Sequence, residues 1–230
     1  MHPKMKRSLI ILILLLLSPS LSARSRESRD LDSLMRSYGM VDLQQLSPEI
    51  RVDLKYATTD NFTGVLLYRG LKRAYLEPSF ARRVARAQSL LSRLRPGYRL
   101  IVFDAARPQS VQREMRRRVE GTPLAKYVAP ASKGGRHNYG VAVDLSIVDD
   151  RGQLLDMGTP FDHLGPEATV GDEERWIKAG KMKPEVRANR RLLIEVMRQA
   201  GMRPYKLEWW HFQELIPMSQ VRQRYRLLDF

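Results

Sequence analysis

Two short stretches, about 70 residues apart, carry the side chains that most constrain how this chain can fold. The first reads His-Asn-Tyr-Gly-Val-Ala-Val-Asp from His137 to Asp144, and the second reads Glu-Trp-Trp-His from Glu208 to His211. They offer two imidazoles and one carboxylate, with a second carboxylate three residues before the last histidine. If these side chains form one site, the fold must bring the two stretches together.

The residue types are those of an open metal site. A hydrolytic zinc ion takes three protein ligands and keeps a fourth position for water, whose pKa it lowers to about 7. Two histidines and an aspartate meet that requirement, and Glu208 would then be free to take a proton from the water. The chain has no cysteine, so a closed structural site with cysteine ligands is excluded. The sequence predicts an open metal site or none.

Two arguments weigh against the metal site. A single histidine is more often an ordinary core or surface residue than a ligand. In a regular strand, Glu208 and His211 would also point to opposite faces, because side chains alternate along a strand. Both can serve one site only if this segment bends or bulges.

The N-terminus has the pattern of a secretory signal peptide over residues 1–23. The cations Lys4, Lys6 and Arg7 precede an apolar run over 9–17 that is too short to span a bilayer, and small residues follow as far as Ala23. We therefore expect an exported protein, periplasmic or secreted.

The mature chain is predicted to be a mobile segment over residues 24–30 followed by a single domain over 31–230. Residues 24–30 are polar and lack an apolar period, and no repeat or linker interrupts the rest. Because cysteine is absent, lipoprotein processing and disulfides are excluded. We expect no stable membrane anchor once the signal peptide is removed.

The formal net charge of +15 allows two interpretations. It could attract the chain to an anionic polymer such as cell wall, lipid headgroups or nucleic acid. The cations are scattered along amphipathic stretches without the interleaved aromatic residues of single-strand binders. This favours a solvated basic surface, and we expect no nucleic-acid partner.

Hydrophobic periodicity predicts an α+β fold with a small, mainly antiparallel sheet and helices packed on one face. Apolar residues at helical spacing predict helices over 78–94, 109–119 and 184–200. Alternation and aromatic content predict strands over 50–56, 98–103 and 141–148 and an aromatic strand over 208–212. The glycine and proline content of residues 121–135 predicts a loop there. A doubly wound nucleotide-binding fold is not supported, because no Gly-x-Gly-x-x-Gly follows a strand.

The combination of His-x-x-Gly-x-Ala-x-Asp with Glu-Trp-Trp-His resembles the zinc D,D-peptidases related to the vancomycin-resistance D-alanyl-D-alanine dipeptidases. The resemblance covers roughly residues 45–215. The zinc motif alone indicates the wider group, which includes D,D-carboxypeptidases and cell-wall endopeptidases. Three further blocks, at 53–64, 104–108 and 157–162, are similar to the dipeptidase branch.

The resemblance implies a hedgehog-like zinc D,D-peptidase fold and a role for each of seven residues. It implies one Zn²⁺ held by His137, Asp144 and His211. It also implies Glu208 as the catalytic base and Arg107 as the cation that stabilises the tetrahedral oxyanion. Tyr56 and Asp162 match positions that bind the free amino group of the dipeptide. Without the resemblance, Arg107 would be read as a salt-bridged arginine, Tyr56 as a core tyrosine and Asp162 as a turn aspartate.

One position departs from the family pattern. The motif usually begins with a serine two residues before the first ligand, where this chain has Gly135. Any hydrogen bond from that serine to the substrate is absent here unless Ser132 takes its place. We place His163 outside the zinc shell.

Three functions remain open. The first is zinc-dependent hydrolysis of the D-alanyl-D-alanine dipeptide in cell-wall peptide metabolism. The second is a D,D-carboxypeptidase or endopeptidase that acts on peptidoglycan stem peptides. The third is a basic wall-binding module without activity, which would require a broken site residue. The expected partners are a small D-dipeptide and, as a further partner, peptidoglycan.

Overall fold

The computed structural model of this chain describes residues 30–130, 132 and 134–230. The predicted signal peptide and residues 24–29 lie outside the described residues. The helices are α1 (Leu31–Ser37), α2 (Leu43–Leu46), α3 (Pro78–Leu94), α4 (Gln109–Val119), α5 (Glu173–Lys178), α6 (Pro184–Gln199) and α7 (Met218–Arg224). The strands are β1 (Val41–Asp42), β2 (Arg51–Val52), β3 (Tyr75–Leu76), β4 (Arg99–Asp104), β5 (Ala142–Val148), β6 (Arg203–Tyr205) and β7 (Glu208–Gln213).

The three predicted helices are confirmed almost to the residue as α3, α4 and α6. Helix α3 begins at Pro78, where a missing N–H costs nothing, and the Glu77 carboxylate accepts hydrogen bonds from the next two free backbone N–H groups. Its apolar stripe, including Phe80 and Leu91, is fully buried. Each such side chain contributes about 1.5–3 kcal/mol through burial. Helix α6 packs against α3, so the two longest helices share one core.

The α+β class is confirmed, but the sheet arrangement is larger than expected. Five strands form one mixed sheet in the order β2-β4-β5-β7-β6, with only the β2-β4 pair parallel. Strands β1 and β3 form a separate antiparallel pair. Helices α1, α2, α5 and α7 were not anticipated, since each is only four to seven residues long and gives little periodicity.

The prediction of a strand over residues 50–56 was wrong beyond Val52. Only Arg51 and Val52 pair with β4, and the chain then turns into a 3₁₀ helix at Lys55–Ala57. The carbonyl of Tyr56 accepts hydrogen bonds from the N–H groups of Leu67 and Tyr68 instead of a neighbouring strand. Ile50, Leu54 and Tyr56 are all buried, so the apolar residues of the alternating pattern do face the core although the segment is not a continuous strand.

Strand β5 carries Asp144 away from the apolar face, as its alternation predicted. Val143, Leu145 and Ile147 are fully buried on one face, and Asp144 and Ser146 are buried on the other. β5 lies between β4 and β7, so Asp144 stands beside both of these strands. Within the described ranges, no helix has the length and apolar character needed to cross a bilayer.

Candidate active site

The two stretches singled out in the sequence meet at one point. His137 lies in a 3₁₀ helix at Arg136–Tyr139, just before β5, and Asp144 pairs directly with His211 across β5 and β7. His137 Nε2 is 3.2 Å from His211 Nδ1 and 3.4 Å from Asp144 Oδ2. His211 Nδ1 is 2.9 Å from Asp144 Oδ1. In the described part of the chain, these three residues form a group able to hold a metal ion.

The spacing of the three donor atoms fits a tetrahedral zinc ion. Zinc bonds of about 2.0–2.1 Å place neighbouring ligand atoms about 3.3 Å apart. The two histidine nitrogens are 3.2 Å apart, close to that value. The carboxylate of Asp144 lies beside both nitrogens, with Oδ1 2.9 Å from His211 Nδ1 and Oδ2 3.4 Å from His137 Nε2, so either oxygen can serve as the third ligand. One aspartate and two imidazoles also suit other divalent ions, so the geometry identifies a metal site more firmly than it identifies the metal.

Both imidazoles are oriented for metal binding by a hydrogen bond at the other ring nitrogen. His137 Nδ1 donates to the backbone oxygen of Ala105 at 2.7 Å, which leaves the Nε2 lone pair free. His211 Nε2 lies 3.2 Å from Gln213 Oε1, an acceptor, which leaves the Nδ1 lone pair free. Gln213 was not predicted, although it lies two residues beyond His211 and so on the same face of β7.

The turn that carries His137 depends on Gly140 and Asn138. Gly140 has a φ of +67°, and a Cβ there would lie 2.9 Å from the backbone nitrogen of Glu77. Asn138 is fully buried, accepts a hydrogen bond from the Gly135 N–H and donates one to the Arg107 carbonyl oxygen. Asn138 therefore ties the turn that carries His137 to the segment between β4 and α4 that carries Arg107.

A bulge in β7 resolves the doubt about Glu208 and His211. Pro204 of β6 pairs with Phe212 of β7, but the next residue of β6, Tyr205, pairs with Glu208. The residues of β7 between these two partners are therefore extra relative to β6. The extra residues break the alternation, and Glu208 Oε2 comes within 3.9 Å of His211 Nδ1. Glu208 and His211 thus face the same site.

Glu208 has the environment of a proton acceptor. Burial raises its pKa to about 7, and the negative charges of Asp144 and Asp162 add to this effect, while His211 and Arg107 oppose it. The pKa of Asp144 is instead lowered, because its contacts with His137 and His211 outweigh its own burial. The pKa values of the two carboxyl groups are therefore shifted in opposite directions. Asp144 stays ionised as a ligand, and Glu208 can exchange a proton near neutral pH.

Arg107 is buried and firmly held. Its Nε donates to Asp104 Oδ2 at 3.1 Å and its Nη1 to Gln112 Oε1 at 2.9 Å, and the hydroxyl of Tyr68 also donates to Asp104. Burial opposes the charge of Arg107, but the interaction with Asp104 raises its pKa well above the ordinary value. Arginine has five N–H donors, so hydrogens on Nη1 and Nη2 remain for a substrate oxygen.

Tyr56 and Asp162 form a second polar group in the site. The Tyr56 hydroxyl donates to Asp162 Oδ1 at 3.0 Å, and the Phe62 N–H donates to Oδ2 at 3.2 Å. Burial raises the pKa of Asp162 to about 7, against the effect of these two hydrogen bonds and with a contribution from the charge of Asp144. Asp162 also has a φ of +62°, a strained conformation for a residue with a side chain.

All seven predicted site residues line one cavity of about 390 Å³: Tyr56, Arg107, His137, Asp144, Asp162, Glu208 and His211. Ser132 is exposed and does not line the cavity, so it does not take the place of the serine that the family pattern has at position 135. His163 lies outside it as well, 3.2 Å from Glu167. The roles of the seven residues stay predictions, and the structure brings all seven to one cavity.

Comparison with known proteins gives one consistent result. Residues 36–227 match the family model described as D-ala-D-ala dipeptidase. The D-alanyl-D-alanine dipeptidase of Escherichia coli K12 is 32% identical over 174 residues, which is 76% of this chain and 83% of that protein. The proteins of the same name from Enterococcus faecium and Streptomyces coelicolor are 28% and 29% identical, covering 76% and 74% of this chain and 90% and 88% of their own lengths.

Proposed function

This chain belongs to the D-alanyl-D-alanine dipeptidase family, and we propose that it hydrolyses the D-alanyl-D-alanine dipeptide with one bound zinc ion. As a member of that family it is a metallopeptidase. The observation that carries the proposal is the convergence of His137, Asp144 and His211 with Glu208 in one cavity. When bound by the first three residues, zinc would act as a Lewis acid toward the scissile carbonyl and toward water.

The protein side chains supply the proton transfers and the charge stabilisation. Glu208 takes a proton from water as the water oxygen bonds to the carbonyl carbon. Arg107 donates hydrogen bonds to the oxygen on which negative charge develops. Glu208 then gives its proton to the amide nitrogen as the C–N bond breaks, which releases two molecules of D-alanine. A Glu208 pKa near 7 suits both directions of proton transfer.

Recognition of the free amine favours the dipeptide over a stem peptide. A dipeptide has an ammonium group one residue from the scissile bond, and Asp162 with Tyr56 offers a carboxylate to bind it. In a stem peptide the same nitrogen is acylated and neutral, so an ionised Asp162 would have only the neutral donors Tyr56 and Phe62 and no cationic partner in a partly buried site. This disfavours the D,D-carboxypeptidase and endopeptidase alternative.

We further propose the cellular setting and the finer fold. The signal peptide over 1–23 would direct export, leaving an enzyme that works in the periplasm or outside the cell on cell-wall peptides. The mixed α+β architecture is compatible with the hedgehog-like arrangement that the family resemblance implies. Sequencing the N-terminus of the protein recovered from outside the cytoplasm tests the export proposal, and retention of residues 1–23 would contradict it.

The catalytic proposal is tested with purified zinc-loaded protein and D-alanyl-D-alanine, with release of D-alanine as the readout. We expect chelator-sensitive turnover, and a loss of about 1,000-fold in kcat for Glu208→Gln with unchanged zinc content. Glu120→Gln, at an exposed position, is the control and should behave like the wild type. Undiminished turnover in Glu208→Gln would refute the role of Glu208. Faster cleavage of N-acetyl-D-alanyl-D-alanine than of the free dipeptide would favour the stem-peptide alternative.

A further inference from the structure

Arg136 is a cation in the wall of the cavity without an anionic partner. It precedes the ligand His137, it lines the cavity, and its Nη2 donates to the backbone oxygen of Ile216 at 2.7 Å. Its Nη1 is buried and has no hydrogen-bond partner. Arg136 forms no ion pair within the described residues, and the acid that acts on it electrostatically, Glu214, is bound to Arg83.

This situation is unusual for a buried arginine nitrogen, because such groups are normally paired. The two buried arginines of the described structure follow that rule: Arg107 pairs with Asp104, and Arg190 with Glu173. Each also has neutral acceptors for its remaining nitrogens. Arg136 is therefore a residue of the cavity wall whose charge no described acid balances and whose Nη1 no described group accepts from, and a ligand with an anionic oxygen suits it.

Beside the metal-binding and catalytic groups, two further regions of the chain bring charged side chains to the cavity. Asp162, with Tyr56 and Phe62 beside it, provides the anionic wall that suits the ammonium of the dipeptide. Residues 126–130, 134–136 and 213–222 provide another wall, and among the described residues its cations are Lys126, Arg136 and Arg222. Lys126 and Arg222 are exposed to solvent, which screens their charge, whereas Arg136 is partly buried.

Building on the dipeptidase function proposed above, we propose that Arg136 binds the C-terminal carboxylate of the dipeptide. Arg107 is not available for this role, because three of its N–H groups are engaged by Asp104 and Gln112 and the rest serve the oxyanion. An extended dipeptide is about 7 Å long, so its two charged ends are read by separate groups.

Gly135 has no side chain, so of these two neighbouring residues of the cavity wall only Arg136 offers a polar group. A Cβ at position 135 would lie 3.3 Å from the Cβ of Ala129, so the loop at 126–130 fills the space that a side chain would need. The serine hydroxyl of the family pattern is thus absent, and Ser132 does not reach the cavity. Arg136 provides a charged donor in its place and makes a free carboxylate a determinant of specificity.

The test compares D-alanyl-D-alanine with D-alanyl-D-alaninamide, which lacks the carboxylate, in the wild type and in Arg136→Met. We expect Arg136→Met to lower kcat/KM for the dipeptide about 10–100-fold, mainly through KM, and to change the value for the amide less than about 3-fold. If the amide is turned over too slowly, its inhibition constant against the dipeptide serves instead. Arg136→Lys should recover part of the loss.

Two further variants and one measurement separate this role from others. Arg93→Met removes an exposed cation on α3, outside the cavity wall, and should affect neither ligand. A dipeptide-specific loss in Arg222→Met, and none in Arg136→Met, would move the carboxylate site to Arg222 and overturn the proposal. Equal losses for both ligands in Arg136→Met, together with a reduced zinc content, would assign Arg136 to support of the His137 turn. If wild-type protein does not cleave the dipeptide, the proposed function fails, and the dipeptide-to-amide binding ratio still decides the role of Arg136.

Discussion

Replacement of Asp162 by asparagine should stabilise the metal-free protein while impairing the enzyme. Asp162 has a pKa of about 7 against an ordinary value of 3.8, chiefly because it is buried. At about 1.4 kcal/mol for each factor of ten in proton affinity, ionising it in the folded protein costs up to about 4 kcal/mol more than in the unfolded chain. Since the residue is partly exposed, we take about 2–3 kcal/mol as the effect at pH 8.

The sign of the pH dependence follows from the raised pKa. A carboxyl group of this kind stabilises the fold most below pH 4, where it is protonated in both states, and that contribution is lost as the pH rises through about 7. Asparagine cannot ionise, and it tolerates the positive φ of this position better than most residues do. Because part of the effect is already present at pH 5, the gain from Asp162→Asn should be about 1–2 kcal/mol larger at pH 8 than at pH 5.

Urea unfolding of chelator-treated protein at both pH values measures this difference. Asp150→Asn, at an exposed position, is the matched control and should show no pH-dependent gain. The same Asp162→Asn protein, loaded with zinc, should have a KM for D-alanyl-D-alanine raised at least 10-fold, because the ammonium loses its carboxylate. Equal stability of wild type and variant at pH 8 would refute the electrostatic reasoning, and an unchanged KM would refute the assignment of the amine site.

Three further predictions concern the catalytic groups. Arg107→Lys should lower kcat about 100-fold with unchanged zinc content, because lysine cannot hold Asp104 and Gln112 and also reach the oxyanion; wild-type kcat would contradict this. The kcat/KM of the wild type should rise with pH and level off at or below about pH 7, since Glu208 must be ionised and a bound metal ion would oppose the rise of its pKa to about 7; an acid limb above pH 8 in the rate profile would contradict it. Zinc at 100 times its Kd should stabilise the apoprotein by about 2.7 kcal/mol in thermal unfolding, and His211→Ala should abolish that gain.

The longer helices, most of the main strands and the residues that meet in the candidate site could be predicted from the sequence. The boundaries of α3 and α4 follow from proline at the start and from apolar spacing, which are local signals. The site residues could be predicted because the motif fixes residue types at fixed spacings. At position 135 the chain departs from the family pattern, with glycine in place of serine, and the next residue, Arg136, is a polar side chain of the cavity wall.

Features that depend on contacts distant in sequence could not be predicted. The chain leaves β2 after Val52 because the Tyr56 carbonyl is bound by residues 67 and 68, and nothing local indicates this. The bulge in β7 is set by its pairing with β6 and β5 together, so the relative orientation of Glu208 and His211 stayed open. Asn138 and Gln213 orient the ligands through hydrogen bonds that no spacing in the sequence announces.

The charged side chains of the cavity relate the binding of a metal ion to the binding of a charged dipeptide. The pair of Arg107 and Asp104 is neutral as a unit, so Arg107 acts through directed hydrogen bonds and adds little net charge. The remaining acids, Asp144, Asp162 and Glu208, would carry three negative charges in a site with little water, and the raised pKa values of the last two express that cost. A divalent ion and the ammonium of a dipeptide bring three positive charges to these groups. By the same count, the carboxylate of the dipeptide needs one more cation, and Arg136 is the partly buried one in the cavity wall without an anionic partner among the described residues.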